Sequence, residues 1–431
     1  MTHESHADTY VLGIISPLAH EMLDNLRLHP EVSRVAIAGS FRRARETVHD
    51  LDFLVATKSP SLVCEDFTTL PLVAAIIACG DAHACVRLHN GLQCELHAVP
   101  NNQFPFALLY HTGSKEHNHA LGELARQQGF SLDESGLTPM AASSAPLDIN
   151  EEADIYHALG LDFIEPELRE NRGEIEAAAS HTLPKLVELN NLRGTFHNHT
   201  TASDGHDTLE AMVAEAIDMG LQYLGIADHS KSTVIANGLD ETRLIEQVAR
   251  IHRLNAAHEN LRIFAGSEVD ILADGSLDFA DDILARLDYC VASVHNVFDL
   301  TEAEMTRRIC RAMENEHVTM LGHLTGRMFL RRDAYPVNHS MIIDCAAETR
   351  TIIELNCSPL RLDMDWRWWH HARDKGVLCS INPDAHSTAR LHHIGLGTRL
   401  ARKGWLRRQD ILNTRSLAEV ETFLKTPKAA R

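Results

Sequence analysis

The chain has 431 residues, 44% of them hydrophobic, and a formal net charge of -20 with His neutral. This length gives room for two or three domains, the apolar content excludes global disorder, and the acidity excludes a general basic coat for nucleic acid. Nine Cys with no CxxC pair exclude a Cys-rich zinc site and argue against a disulfide framework, which places the chain in a reducing cytoplasm.

The first ten residues, MTHESHADTY, have neither the basic nor the apolar region of a signal peptide. Residues 16–29 read as an amphipathic helix, followed by a strand at Val32–Ser40 and a basic loop, FRRARET. A second strand is expected around Asp50–Val55, and the apolar run Leu70–Cys79 reads as a helix far too short to span a bilayer. Two short strands follow, split by Asn90-Gly91, a strong hairpin signal. This small α/β unit is expected to occupy residues 1–130. Residues 131–190 read as linker and connecting helices, with residues 131–150 either a linker or a degenerate hairpin.

From residue 191 to 431 short apolar strands alternate with amphipathic helices. The clearest helix is Thr208–Met219, with Asp207 as its N-cap and Gly220 just past its end. Seven strands are expected at GTFH, YLGIADH, IFAGSEV, YCVASVH, TMLGH, TIIELN and VLCSIN, a rhythm of β/α barrel type. His197, His229, Glu268, His295 and His323 fall at or near the ends of five of these strands, and Asp384 and His386 follow the last. A parallel barrel gathers such ends at one mouth, and only the strand ending at Asn356 lacks a ligand-type residue there. His197-x-His199 and Asp384-x-His386 add paired residues on one strand face. With 28 His in the chain, mixed imidazole and carboxylate ligands suit Zn, Mn or Fe.

The motifs HNHTTASDG, ADHS, GSEVDILADGSLDF, ASVH, GHLTGR and INPDAHS resemble the PHP (polymerase and histidinol phosphatase) domain, from about Leu192 to Trp405. The resemblance implies a distorted (β/α)7 barrel with three divalent ions. His197, His199, Glu268 and Asp384 would hold one, Glu268 with His295 and His323 a second, and Asp204, His229 and His386 a third. Glu268, His295 and Asp384 would be the residues nearest the catalytic step. Adjacent divalent ions generate hydroxide at neutral pH and offset charge on phosphate oxygens. Arg327 and Arg331 are candidate phosphate clamps.

AGSFRRARETVHDLDFLV, YHTGSKEHN and LGLDFIEPELRENRGEIEAA resemble the palm and following regions of a family X DNA polymerase. In such a palm Gly39 and Ser40 would cradle phosphates, and Asp50, Asp52 and Glu95 would hold Mg or Mn. The segment departs from the family pattern at four places. Glu95 stands where Asp is usual, His97 where Arg is, Ala82-His83 where Thr-Lys is, and His111 where a Phe gates the sugar. The sequence also begins almost at the palm, without the helix-hairpin-helix and fingers regions ahead of it. The resemblance therefore implies a retained phosphoesterase, expected to process DNA 3′ ends in repair, beside a degenerate polymerase. A phosphatase for small phosphate esters, a residual gap-filling polymerase and a non-catalytic scaffold stay open. A basic stretch at Arg399, Arg402, Lys403, Arg407 and Arg408 around Trp405 is a candidate DNA contact or a solvated helix face.

Overall fold

The computed structural model describes residues 9–141, 147–258 and 260–431. The chain divides into two compact units at Pro184/Lys185.

The first unit opens with α1 (Leu12–Arg27), which buries Leu12, Ile15, Ala19, Met22 and Leu26 on one face. Then come β1 (Val32–Ile37), the one-turn α2 (Gly39–Arg42), β2 (Asp50–Thr57) and α3 (Pro60–Thr68). Next are β3 (Val73–Cys79), β4 (His83–Leu88) and β5 (Gln93–Val99). The five strands form one sheet in the order β1-β2-β5-β4-β3, with β2 and β5 parallel and the other pairs antiparallel. The Asn90-Gly91 turn joins β4 to β5 as expected, with Gly91 at φ +89°.

The expected helix at Leu70–Cys79 is wrong, because Val73–Cys79 is the edge strand β3. Its outward residues Ile76 and Ile77 are exposed, so no alternation of apolar and polar residues marks it as a strand. Antiparallel pairing with the next strand, β4, decides the matter against local helix propensity. After α4 (Phe104–Thr112) and α5 (Lys115–Gln127), residues 130–139 form a hairpin of β6 (Phe130–Asp133) and β7 (Gly136–Pro139). The rest of that stretch includes residues 142–146, which lie outside those described.

The segment through α6 (Glu152–Ala158) and α7 (Glu174–Ala179) packs into this unit through a buried charge network. Arg169, fully buried, donates to Glu152 Oε1 at 2.5 Å and to the Ile164 carbonyl at 2.9 Å. Arg42 donates to Glu152 Oε2 at 2.7 Å from α2. Burial alone would raise the Glu152 carboxyl, but Arg169 and Arg42 outweigh it and hold it down at about 2. A depressed carboxylate contributes stability above its unfolded value of about 4.5 and loses it as pH falls toward 2. Glu152→Ala should lower the unfolding free energy by about 3–5 kcal/mol, because it strands a buried guanidinium. Denaturant titration of wild type should show stability falling across that acid window. Glu152→Gln combined with Arg169→Met should lose less across that window than wild type. An Ala variant as stable as wild type would show the network to be dispensable.

The second unit is a β/α barrel. Its strands are β8 (Gly194–Asn198), β9 (Tyr223–Ile226), β10 (Arg262–Asp270), β11 (Tyr289–Ser293), β12 (Met320–Leu321), β13 (Ile352–Asn356) and β14 (Cys379–Asn382). All seven expected strands are present, parallel and in chain order. The Asn198–Ala385 bridge, with His199 N donating to Ala385 O at 2.8 Å, brings the last strand's end to the first. Helices α8 (Leu209–Asp218), α9 (Glu241–Ala257), α10 (Glu302–Met313), α11 (His339–Thr349), α12 (Trp369–Asp374), α13 (Ile394–Lys403) and α14 (Leu417–Lys425) fill the connections and the end of the chain. Thr208, not Asp207, caps α8; the Asp207 carboxylate instead accepts from Thr388 N at 2.8 Å. Gly220 follows the helix at φ +72°, as expected.

Phe196, Tyr223, Phe264, Tyr289, Val291, Met320 and Ile352 fill the barrel interior. Gly266 makes room for this plug, since a Cβ there would lie 2.4 Å from Tyr289 Cε1. The interior is thus a packed core, and the polar chemistry is confined to the mouth.

Candidate metal centre

The strand ends bring all nine ligand-type residues of the barrel together. Glu268 is at the centre, buried, with Oε1 2.8 Å from His323 Nε2, 3.1 Å from His295 Nε2 and 3.3 Å from His197 Nε2. Its Oε2 lies 3.0 Å from His229 Nδ1 and 3.6 Å from His199 Nε2. Asp384 Oδ1 is 3.2 Å from His199 Nε2 and 3.9 Å from His197 Nε2. Asp204 Oδ2 is 3.3 Å from His386 Nε2 and 3.7 Å from His229 Nε2.

Four groups close to within 4.8 Å: His197, His199 and Asp384; His197, Glu268 and His323; His229, Glu268 and His295; and His199, Asp204, His229 and His386. The expected second set of Glu268, His295 and His323 is thus divided between two groups that share Glu268.

The backbone is bent to achieve this. His197 sits at φ +58° and Asp384 at φ +51°, the left-handed region that non-glycine residues avoid. The β8–β9 register shifts between Thr195 and Asn198, so simple strand alternation does not explain how His197 and His199 converge. Strain of this kind is found where function requires it.

A layer of buried acids behind the histidines went unread in the sequence. Glu354, on the strand that had seemed to lack a site residue, places Oε2 2.5 Å from His197 Nδ1. Its other contacts are His323 N at 3.0 Å, Asn356 Nδ2 at 2.8 Å and Asn382 Nδ2 at 2.8 Å. Asp270 Oδ1 holds His295 Nδ1 at 2.5 Å. Asp228 accepts from Thr200 N, Thr200 Oγ1 and Ser203 Oγ, and so fixes the loop that carries Asp204. Carboxylates on the far nitrogen of an imidazole orient it and raise its basicity as a ligand.

These residues fit divalent ions. Among the described residues, the buried nitrogens His197 Nε2, His199 Nδ1 and Nε2, His229 Nδ1 and His295 Nε2 have no hydrogen-bond partner, although carboxylates stand near them. Each neutral imidazole has one lone-pair nitrogen to offer, which a cation would satisfy. Burial, with His386 and His229 alongside, pushes His199 down to about 4. Burial opposes charge on His295 and His386, yet Glu268 with Asp270, and Asp204 with Asp384, hold both at about 9. Burial would also raise Glu268, but His295, His197 and His229 bring it well below the usual carboxylate range. Ion uptake would therefore release protons.

The expected arginine clamps are not at the centre. Arg327 donates to the Arg361 and Leu362 carbonyls and stacks over Phe329, while Arg331 is exposed. Arg361 is the cation that reaches the site, with Nε 3.2 Å from Asp384 Oδ2 and Nη1 buried without a hydrogen-bond partner. The basic stretch near Trp405 is not one solvated face either. Lys403 is fully buried against the Trp366 ring, Trp405 is buried, and Arg407 pairs with Asp410 at 2.9 Å.

In the first unit, Asp50 and Asp52 on β2 lie beside Gln93 and Glu95 on β5. Gly39 and Ser40 open α2, and Gly39 at φ +59° cannot carry a side chain, since a Cβ would fall 1.7 Å from Asp52 Oδ2. Burial, then Asp50 and Glu95, push Asp52 up to about 7. Glu95 groups within 4.8 Å with His83 and His97, and not with the two aspartates.

Residues 107–170 match the DNA polymerase beta thumb family, and residues 195–358 match the PHP domain family. The thumb match runs through α6, in the segment expected to connect the two units. The chain is 37% identical over 420 residues to the DNA polymerase/3′-5′ exonuclease PolX of Bacillus subtilis, covering 97% of this chain and 73% of that one. This chain belongs to the family X DNA polymerases that carry a PHP domain. It also resembles shorter proteins over part of its length. A probable phosphatase of Clostridium acetobutylicum is 26% identical over 44% of this chain and 78% of its own length. Another, of Caldicellulosiruptor saccharolyticus, is 31% identical over 37% and 64%. The PHP match ends before Asp384 and His386, so their convergence with His199 and Asp204 is an independent observation about this family member. Among the described residues no helix is long and apolar enough to cross a membrane.

Proposed function

We propose that the barrel is a metal-dependent phosphodiesterase that removes nucleotides from DNA 3′ ends, and that the palm is degenerate. The observation that carries this is Glu268, a buried carboxylate faced by five imidazoles whose ring nitrogens largely lack hydrogen-bond partners. His197, His199 and Asp384 would hold one ion, His199, Asp204, His229 and His386 another, and Glu268 would serve a third with His295 and His323 once side-chain rotation joins the two groups that share it. Zn, Mn or Fe suits this mixture of donors better than Mg. Bound ions would supply an ionised water at neutral pH and offset charge on the phosphate and the leaving oxygen.

The chain's own residues do the rest. Glu354 and Asp270 fix the His197 and His295 rings. Arg361, beside Asp384, is placed to donate to a phosphate oxygen. Val234 and Ile235, exposed on the turn next to Thr233, offer an apolar rim where an unstacked base could rest; Thr233 itself bonds Asp270 at 2.8 Å. DNA as substrate is supported by the Bacillus relative, a DNA polymerase/3′-5′ exonuclease by name. Single-stranded ends and gaps are the forms such a mouth would take, and their processing belongs to repair.

The test uses the full chain with Mn²⁺ and single-stranded DNA labelled at its 5′ end. The expected products are a ladder shortened from the 3′ end, absent with His197→Ala/His199→Ala. If a chromogenic phosphomonoester is turned over orders of magnitude faster than DNA, the reading passes to a small-ester phosphatase like the shorter relatives.

A further inference from the structure

The positions at which the palm departs from its family pattern are not scattered. His83, Glu95, His97 and His111 gather on one open face of the five-stranded sheet. His83 is the direct cross-strand partner of His97, and Glu95 lies two residues before His97 on β5. Inward residues Cys94, Leu96 and Ala98 are buried, so Gln93, Glu95 and His97 share the other face. Glu95 Oε2 lies 3.4 Å from His83 Nε2 and 3.7 Å from His97 Nε2. Gln93 Nε2 donates to Glu95 Oε1 at 3.1 Å, which turns the second oxygen toward the two imidazoles. The His111 ring stacks on His97 at 3.9 Å, and Glu134 stands 3.9 Å from His111 Nε2.

We infer that His83, Glu95 and His97 form a binding site for a transition-metal ion of the Zn²⁺ class, built wholly within the first unit. Ligands on a tetrahedral zinc ion stand about 3.3 Å apart, given bond lengths near 2 Å. The ligand atoms here lie within 4.8 Å of one another, so small side-chain rotations close the set. Two imidazoles and one carboxylate, partly exposed, leave a fourth position for water or a phosphate oxygen. The donor set selects against Mg²⁺, the ion suited to an all-carboxylate palm, because imidazole favours borderline metals. Gln93, through the carboxylate, and His111, stacked on His97, hold the ligands in place. The departures thus replace one metal chemistry with another, and the site does not depend on the reading of the barrel.

Equilibrium dialysis of the full chain against Zn²⁺, followed by metal analysis, tests this. His83→Gln/His97→Gln should carry one ion fewer per chain than wild type, with an unchanged far-UV spectrum. In a chain whose barrel ligands His197, His199, His229 and Glu268 are all Ala, one ion should remain. Adding His83→Gln should remove it. Co²⁺ bound to that barrel-deficient chain should give the visible absorption of a low-coordinate imidazole site. Unchanged stoichiometry in His83→Gln/His97→Gln overturns the assignment, as does a Co²⁺ spectrum indifferent to His83→Gln.

Discussion

Glu268→Ala should lower hydrolysis on the order of a thousandfold or more and reduce the metal content of the protein, because one carboxylate serves two of the four ligand groups. No neighbour can replace it. Asp384 lies against His197 and His199 only through its own Oδ1, and Asp270 is committed to His295 Nδ1. Glu354→Gln probes a different level. It keeps the side chain's shape but removes the charge facing His197 Nδ1 while leaving every proposed ligand intact. Changes behind the ligands typically cost 10–100-fold in metal affinity or activity. The expected order of loss is therefore Glu268→Ala, then Glu354→Gln, then wild type, in both metal analysis and turnover. Equal, complete loss for both would mean that Glu354 does more than orient a ring. Full activity in Glu268→Ala would remove the carboxylate from the centre and with it the proposed chemistry.

Glu354 also marks what the sequence could and could not say. The convergence of the candidate ligands was legible because a parallel barrel forces strand ends to one mouth, so His, Asp or Glu at the end of each apolar run is informative. Glu354 lies inside its run, in IIELN, where a strand reading expects only core. A buried acid in the middle of an apolar strand was the available signal. Asp228 and Asp270 carried a weaker signal: one follows the strand Tyr223–Ile226, the other ends the strand Arg262–Asp270, and each is one or two residues from a more obvious candidate. Arg361 could not be read, because its approach to Asp384 depends on a loop that returns to the mouth through the Asn356–Asp363 bridge. Arg327 and the residues around Trp405 were misjudged for the opposite reason. Sequence reveals charge but not burial, and Lys403 is inside the protein. The edge strand β3 failed because an Ala- and Ile-rich run has no period when neither face is cleanly buried.

Nucleotide addition to a gapped template should be slow in the wild-type chain, and the palm geometry says what would restore it. Asp52 and Glu95 are register neighbours on parallel strands, the arrangement a two-ion palm needs. However, Glu is one methylene longer than Asp, and its two oxygens are engaged elsewhere, one by Gln93 and the other toward His83 and His97. Shortening the side chain alone leaves the two imidazoles in place of the cations that a triphosphate would meet. Glu95→Asp should therefore recover little. The triple change His83→Lys, Glu95→Asp and His97→Arg should raise addition by about one to two orders of magnitude, the scale on which misplaced catalytic groups act. Asp50→Ala on top of the triple change should abolish the gain, which separates restored chemistry from improved folding. Primer extension with Mn²⁺ and all four nucleotides reads each step. Brisk extension by wild type, lost in Asp50→Ala, would mean that Glu95 leaves the imidazoles once nucleotide binds, and the degeneracy of the palm would have to be withdrawn.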